Sequence, residues 1–289
     1  MSVLTAVLNL LVIISISHFR QLHTPTNLLL LSLAVSDFLV GLIVMPFQIL
    51  LTEPCWFLGY LMCPLLYLVA CFTVSASVIN MVLISVDRYV AICHPLIYPI
   101  NVTERRIRIS VILSWIYSGL YSLLILTDNL KQPGRFNSCY GECVIRVNGA
   151  VDLVISFIIP ISAIIILYMR VFVVAVSQAR SLHSHTKAVK LRRSGNATVQ
   201  RSELKAARTL GVIVAVFLMC YCPYYCVSLS GTDIMVGSPS QVLLIFFIYS
   251  NSCLNPVIYA FLYPWFRKSV KLIVTLQILR PNSYAGNVI

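Results

Sequence analysis

Apolar residues in this chain gather in long unbroken runs, near 1–17, 26–51, 61–86, 108–127, 149–169, 209–230 and 240–263. A hydrocarbon core about 30 Å thick takes roughly 20 apolar residues per helix, with about 17 as the lower limit. None of the runs alternates with period two, and each exceeds the roughly 10 residues of a barrel strand. Helices, which satisfy every backbone N–H and C=O within one segment, are therefore the spanning solution. The pattern predicts an all-α membrane protein, a bundle of seven transmembrane helices forming one domain over 1–289.

Composition agrees: 59% of the residues are hydrophobic, 10% are charged, and the mean hydropathy is +0.91. Charge sets the expected orientation. The connection between the fifth and sixth runs carries Arg170, Arg180, Lys187, Lys190, Arg192, Arg193, Arg201, Lys205 and Arg208, with Glu203 as its only acid. Cytoplasmic loops hold such an excess of Lys and Arg. Arg20, the cluster Arg105, Arg106 and Arg108, and the tail residues Arg267, Lys268, Lys271 and Arg280 fall on that same side if the runs alternate. Lys131, Arg135 and Arg146 fall on the other. The amino terminus is expected outside and the carboxyl terminus inside, so the net charge of +12 is a topology signal rather than a nucleic-acid footprint. The first run has neither a basic region before it nor a small-residue cleavage site after it, and reads as a helix short of its outer turns rather than a signal peptide. Two sequons, at Asn101 and Asn196, face the cytoplasm in this topology and are expected to be bare.

Of ten cysteines, Cys71, Cys93, Cys220, Cys222, Cys226 and Cys253 lie in or at the ends of apolar runs and read as small packing residues. Cys55, Cys63, Cys139 and Cys143 are expected outside, where disulfides persist, and one bridge from Cys63 to the 139/143 pair would tie the loop after the fourth span to the top of the third.

Acids inside spans are costly and point to function. Only Asp37 and Asp152 lie well within spans. Around Asp37, at similar depth, stand Asn9, Ser77, Asn251, Ser252 and Asn255, a set suited to a hydrated cation such as Na+; plain interhelical hydrogen bonding is the alternative. Asp152 interrupts "GAVDLVISFIIPISAIIILY" eight residues before Pro160. That places it about 12 Å up the helix, in the outer third of the bundle. An ion pair with Arg146 or Arg135 is its structural alternative. The five histidines, 18, 23, 94, 183 and 185, lie at or beyond predicted cytoplasmic ends and form no triad or metal pattern, which speaks against an enzyme or a bound cofactor. No lysine in 240–263 offers a Schiff base for retinal, and the polar residues form no continuous file for a channel or transporter.

Six motifs in order carry a resemblance: "VDRYVAICHPL" at 86–96, Trp115, Pro160, "CYCPYY" at 220–225, "NPVIY" at 255–259, and the longer "NSCLNPVIYAFLYPWF" at 251–266. Together they resemble the rhodopsin-like G-protein-coupled receptors, and the last resembles the seventh-helix signature of trace amine-associated receptors. The resemblance implies a receptor for a small-molecule amine at the plasma membrane, coupled to a heterotrimeric G-protein of the stimulatory class, in the cilia of olfactory neurons. It implies that Arg88, next to Asp87 and Tyr89, is restrained by Asp87 and Glu203 at rest. Tyr168 and Tyr259 would take Arg88 over once the sixth helix swings out, and Pro160 and Phe217 would repack beneath the ligand. Pro95 and Leu96 would dock on the G-protein. An amphipathic helix over 264–275, begun by Trp265 and Phe266, would offer Arg267, Lys268 and Lys271 to the inner leaflet before a cytoplasmic tail at 276–289. The family pattern pairs Cys143 with Cys63 and leaves Cys139 for an amino-terminal cysteine that this chain does not contain.

Two positions depart from the family. Tyr221 stands where relatives usually carry Trp, and Ala70 where aminergic receptors usually carry the aspartate that holds the ligand ammonium. Some fish members are similar to this chain in lacking that acid and keeping one on the fifth helix. The resemblance then implies an ammonium held by Asp152, with Ser156 one turn below, Ala70 and Cys71 on the facing wall, and Tyr221, Tyr224, Tyr225 and Tyr249 as aromatic lining. A receptor-like protein for a non-amine ligand, or one that does not signal, is the alternative.

Overall fold

The computed structural model describes residues 1–51, 56, 58, 59, 61–131, 143, 145, 149–188, 194–229, 239–279, 284 and 288, with helix backbone alone at 51, 175, 178–188, 194–210, 239 and 241. Six of the described helices are long and apolar enough to cross a membrane, and a seventh, Ser2–His18, is apolar and somewhat shorter. In chain order they are α1 (Ser2–His18), α2 (Pro25–Leu50), α3 (Met62–Cys93), α4 (Glu104–Ile125), α5 (Gly149–Val174, continuing to Ala188), α6 (Ser194–Leu229) and α7 (Pro239–Leu262). A shorter α8 (Pro264–Val274) follows.

Helix α3 packs against α2, α4, α5 and α6, while α1 packs on both α2 and α7 and closes the ring. The sequence explains each face. On α4, Ile109, Ile112, Leu113, Ile116, Leu120 and Leu123 form an exposed stripe at helical spacing, suited to lipid, while Ser114, Ser118 and Ser122 line the buried face. Each of these hydroxyls donates to a carbonyl one turn back in its own helix, so small residues meet the neighbouring helices without stranding a donor. Trp115 Nε1 donates to Ser32 Oγ at 3.0 Å and fastens α4 to α2.

Two wide π-type turns interrupt the helices, at Val40–Val44 in α2 and Leu153–Ile158 in α5. Each precedes a proline, Pro46 and Pro160, which has no N–H to give and so disrupts the regular ladder. In α2 the Gly41 carbonyl thus made available accepts from the Ser2 hydroxyl at 2.7 Å. A Cβ at Gly41 would come within 2.8 Å of the Ala6 nitrogen and 2.9 Å of Thr5 Cβ, so this glycine permits the close approach of α1. The second wide turn begins immediately after Asp152.

Below α7, Tyr263 breaks the helix and α8 runs on with Phe266 buried and Arg267, Lys268 and Lys271 exposed. Arg267 also donates to the carbonyls of Ala260 and Phe261, at 2.9 and 3.0 Å, and thereby caps the last turn of α7. Val288 is buried against Phe19 and Leu22 in the α1–α2 connection.

Cys63 and Cys143 are joined by a disulfide, as the resemblance implies, while Cys139 and Cys55 lie outside the described residues. The bridge ties the connection before α5 to the top of α3, and losing such a link costs about 2–5 kcal/mol. Cys143→Ser is expected to abolish most surface expression or response, whereas Cys139→Ser leaves both near wild type. A Cys63–Cys139 linkage found by peptide mass spectrometry would contradict this.

Candidate functional site

At the end of the bundle nearest the disulfide, a cavity of about 200 Å³ opens among α2 to α7. Of the residues expected there, Asp152, Ser156, Ala70, Cys71, Tyr224, Tyr225 and Tyr249 all line it. Tyr221 does not: it is buried beneath and stacks on Phe217 with ring centroids 4.4 Å apart. Phe217 is fully buried in the core, and Pro160 on α5 is buried as well. Above them Tyr225 stacks on Phe157 at 4.3 Å, and Tyr224 meets Tyr225 edge-on at 5.2 Å.

Among the described residues, Asp152 is the only acid on the cavity wall. Its Oδ1 accepts from the Tyr121 hydroxyl at 2.6 Å, and that hydroxyl accepts from Ser156 Oγ, also at 2.6 Å. The relay Ser156–Tyr121–Asp152 links α4 to α5 and orients the carboxylate. Among the described residues no cation pairs with Asp152, and Arg135 and Arg146 lie outside them. Facing it, Ala70 contributes only a methyl group, next to Cys71. The sequence reading missed Tyr121, along with its stacked neighbour Tyr117, whose ring lies 6.3 Å away. The available signal was a tyrosine pair four residues apart on an apolar span, since a buried tyrosine hydroxyl needs a partner. Gln48, which accepts from the Tyr249 hydroxyl at 3.1 Å, was also missed.

Deeper in the bundle, Asp37 is fully buried. Its Oδ1 accepts from Ser252 at 2.8 Å and from Ser77 at 3.2 Å, and its Oδ2 from Asn255 at 2.8 Å. Asn9 instead donates to the carbonyls of Thr5 and Ser252. Asn251 does not bond Asp37; both polar atoms of its buried amide are without a partner among the described residues. The same holds for Asn80, for Asn255 Oδ1 and for the Tyr259 hydroxyl.

At the far end of α3, Asp87 collects three neighbours. Its Oδ2 accepts from Arg88 Nε at 2.9 Å and from Thr26 at 2.9 Å, and its Oδ1 accepts from Tyr98 at 2.9 Å. Arg88 also reaches the Thr26 hydroxyl. Burial first, and the Asp87 carboxylate second, push the Tyr98 hydroxyl above the ordinary phenol range, which keeps it a donor. Thr26 and Tyr98 were not anticipated from sequence. Glu203 lies on α6 outside the described side chains. Tyr168 packs where a side chain at Gly211 would collide with its ring, so that glycine brings α5 and α6 together. Tyr259 is buried, and Tyr89 meets His94 edge-on at 5.5 Å. Pro95 is exposed and Leu96 is 87% exposed, an apolar side chain offered to the surface in the turn before the short helix Tyr98–Asn101.

The chain matches the family model for the 7 transmembrane receptor (rhodopsin family) over residues 8–259. It is 40% identical to trace amine-associated receptor 7a of Rattus norvegicus over 293 residues, covering 96% of this chain and 81% of the relative. Trace amine-associated receptor 1 of Mus musculus is 40% identical over 291 residues (96% and 87%), and receptor 13c of Danio rerio 39% over 290 (95% and 83%). This chain belongs to the trace amine-associated receptors. It is thus a multi-pass membrane receptor and not an enzyme. Both cysteines of the receptor's disulfide, its cavity and the buried Asp37 with its partners fall within the residues that the family model covers.

Proposed function

We propose that this receptor detects amines at the plasma membrane, holding the ligand ammonium on Asp152 and signalling through a heterotrimeric G-protein. The observation that carries the reading is the Asp152 carboxylate: among the described residues it is the one acid on the cavity wall, it is oriented by Tyr121, and it has no cation beside it. A primary ammonium supplies the missing charge and donors, and the rings of Tyr224, Tyr225 and Tyr249 offer faces to a cation or an apolar body. Relatives named as trace amine-associated receptors support the ligand class.

In this reading the disulfide end faces outside and the Arg88 end faces the cytoplasm. At rest Arg88 is held by Asp87, with Glu203 as a second restraint, and ligand binding drives α6 outward, shifting the Phe217–Tyr221 stack that this helix carries. Tyr168 and Tyr259 then receive Arg88, and Pro95 and Leu96 engage the G-protein. Asp37, with Ser77, Ser252 and Asn255, is suited to an allosteric Na+ in the resting state, since a buried carboxylate is costly without a cation; Asn251 could reach such an ion through water. The exposed bases of α8 suit anionic lipid. A stimulatory G-protein and the cilia of olfactory neurons complete the proposal.

A panel of primary, secondary, tertiary and quaternary amines tested for cAMP in transfected cells is the first experiment, with the primary amines expected to activate. Activation by neutral analogues of equal size would count against the ammonium. The gate has its own test. A charge pair at a partly wetted mouth is worth on the order of 1 kcal/mol, so Glu203→Ala should raise basal signalling by about fivefold at most. Unchanged basal signalling at matched surface expression would mean that Glu203 does not restrain Arg88.

A further inference from the structure

A second cavity, of about 330 Å³, lies beside the first, between the outer ends of α1, α2 and α7. Its wall includes the apolar side chains of Met45, Ile49, Val242 and Phe246, together with Met1 and Ser2, whose hydroxyl is engaged by the Gly41 carbonyl. Gln48, Ile245 and Tyr249 line both cavities. The partition between them is therefore a single layer of side chains, closed by the hydrogen bond from Tyr249 to Gln48 at 3.1 Å. The two sides differ in chemistry. One carries Asp152, Ser156 and five tyrosine rings besides Tyr249; the other, among the described residues, has no charged side chain on its wall.

We infer that the second cavity is a subsite for the hydrocarbon tail of an amine ligand whose ammonium sits on Asp152. This rests on the amine reading above and deepens it, naming the ligand class as amines with an extended uncharged chain. The argument is one of size and continuity. The Asp152 cavity has about 200 Å³, so a longer chain anchored there must grow out of it. The shared wall leads into the larger, mostly apolar space. A chain entering it parts one neutral hydrogen bond between Gln48 and Tyr249, whose net contribution is modest, while each methylene buried beyond the partition favours binding by about fourfold. Two or three methylenes exceed the loss.

The test is a series of straight-chain primary amines, ethyl to decyl, on the full-length receptor in cells, comparing wild type with Val242→Trp and Ile49→Trp. Both positions line the side cavity alone, and either indole would fill part of it. In the wild type, potency should rise by about fourfold per methylene once the chain passes the partition. In both tryptophan variants the longest amines should lose about tenfold or more, and the shortest should stay within about twofold, which also reports correct folding. Equal shifts for short and long amines, or an unchanged length profile in both variants, would overturn the inference and leave the space to lipid. Asp152→Asn run in parallel separates the readings. If short amines ignore that change, the anchor is wrong, while the tail assignment is still decided by the length profile.

Discussion

Asp152→Asn is expected to lower the potency of every monoamine agonist by about tenfold or more while leaving surface expression near wild type. The substitution keeps the size and shape of the side chain, and its amide oxygen can still accept from Tyr121, so the α4–α5 link made by the Ser156–Tyr121 relay persists. What goes is the charge. A hydrogen bond to an ionised group contributes roughly 1.5–3 kcal/mol, against about 1 kcal/mol for a neutral one. Among the described residues, no other acid on the cavity wall can take the ammonium. Because the loss falls on charge, neutral agonists, if any exist, should be unaffected. A dose–response series in cells with matched expression checks both halves, and unchanged amine potency would return Asp152 to a structural role beside Tyr121.

The second large effect comes from the opposite wall. Ala70 lines the same cavity with a methyl group, so Ala70→Asp with Asp152 retained places two carboxylates across the site. Diamines whose ammonium groups span the gap should gain about tenfold or more over the wild type, since each end then makes a charge-assisted bond. Short monoamines should gain nothing. The double variant, Ala70→Asp with Asp152→Asn, should restore monoamine responses with a changed ranking, because the ligand body then points toward α5. Failure of the single variant to confer any diamine preference would show that position 70 does not face the ammonium-bearing part of the ligand.

The fold was legible because lipid demands long apolar runs: the runs marked near 26–51 and 240–263 correspond to Pro25–Leu50 and to the Val242–Leu262 part of α7. Where the chain leaves the membrane, that signal stops. The third run was marked to 86, yet α3 continues to Cys93, and the fourth was marked from 108 although α4 starts at Glu104, because polar residues extend a helix into the headgroups without adding hydropathy. The wide turns in α2 and α5 were also not read; the prolines mark the regions, but the widening itself depends on neighbouring helices. Of the candidate site, Asp152 stood out by its cost in lipid. Tyr121 did not, since a tyrosine is cheap in a span and its role arises only when α4 brings it to α5. Thr26 and Tyr98 were missed at Asp87 for the same reason: both are ordinary loop-proximal residues until the α2 and α3 ends meet. Tyr221 was placed one layer too high, because one turn of helix separates lining the cavity from supporting it.

The central claim is that the Asp152 carboxylate holds the ligand's ammonium, and the most direct measurement is a structure of the receptor with a primary amine agonist bound. The account predicts the amine nitrogen at charge-assisted hydrogen-bond distance from the Asp152 carboxylate, about 2.7–2.9 Å, with Tyr121 still on Oδ1 and the ligand body between Ala70 and the α6 tyrosines. An agonist nitrogen resting elsewhere, with Asp152 still bonded only to Tyr121, would contradict it.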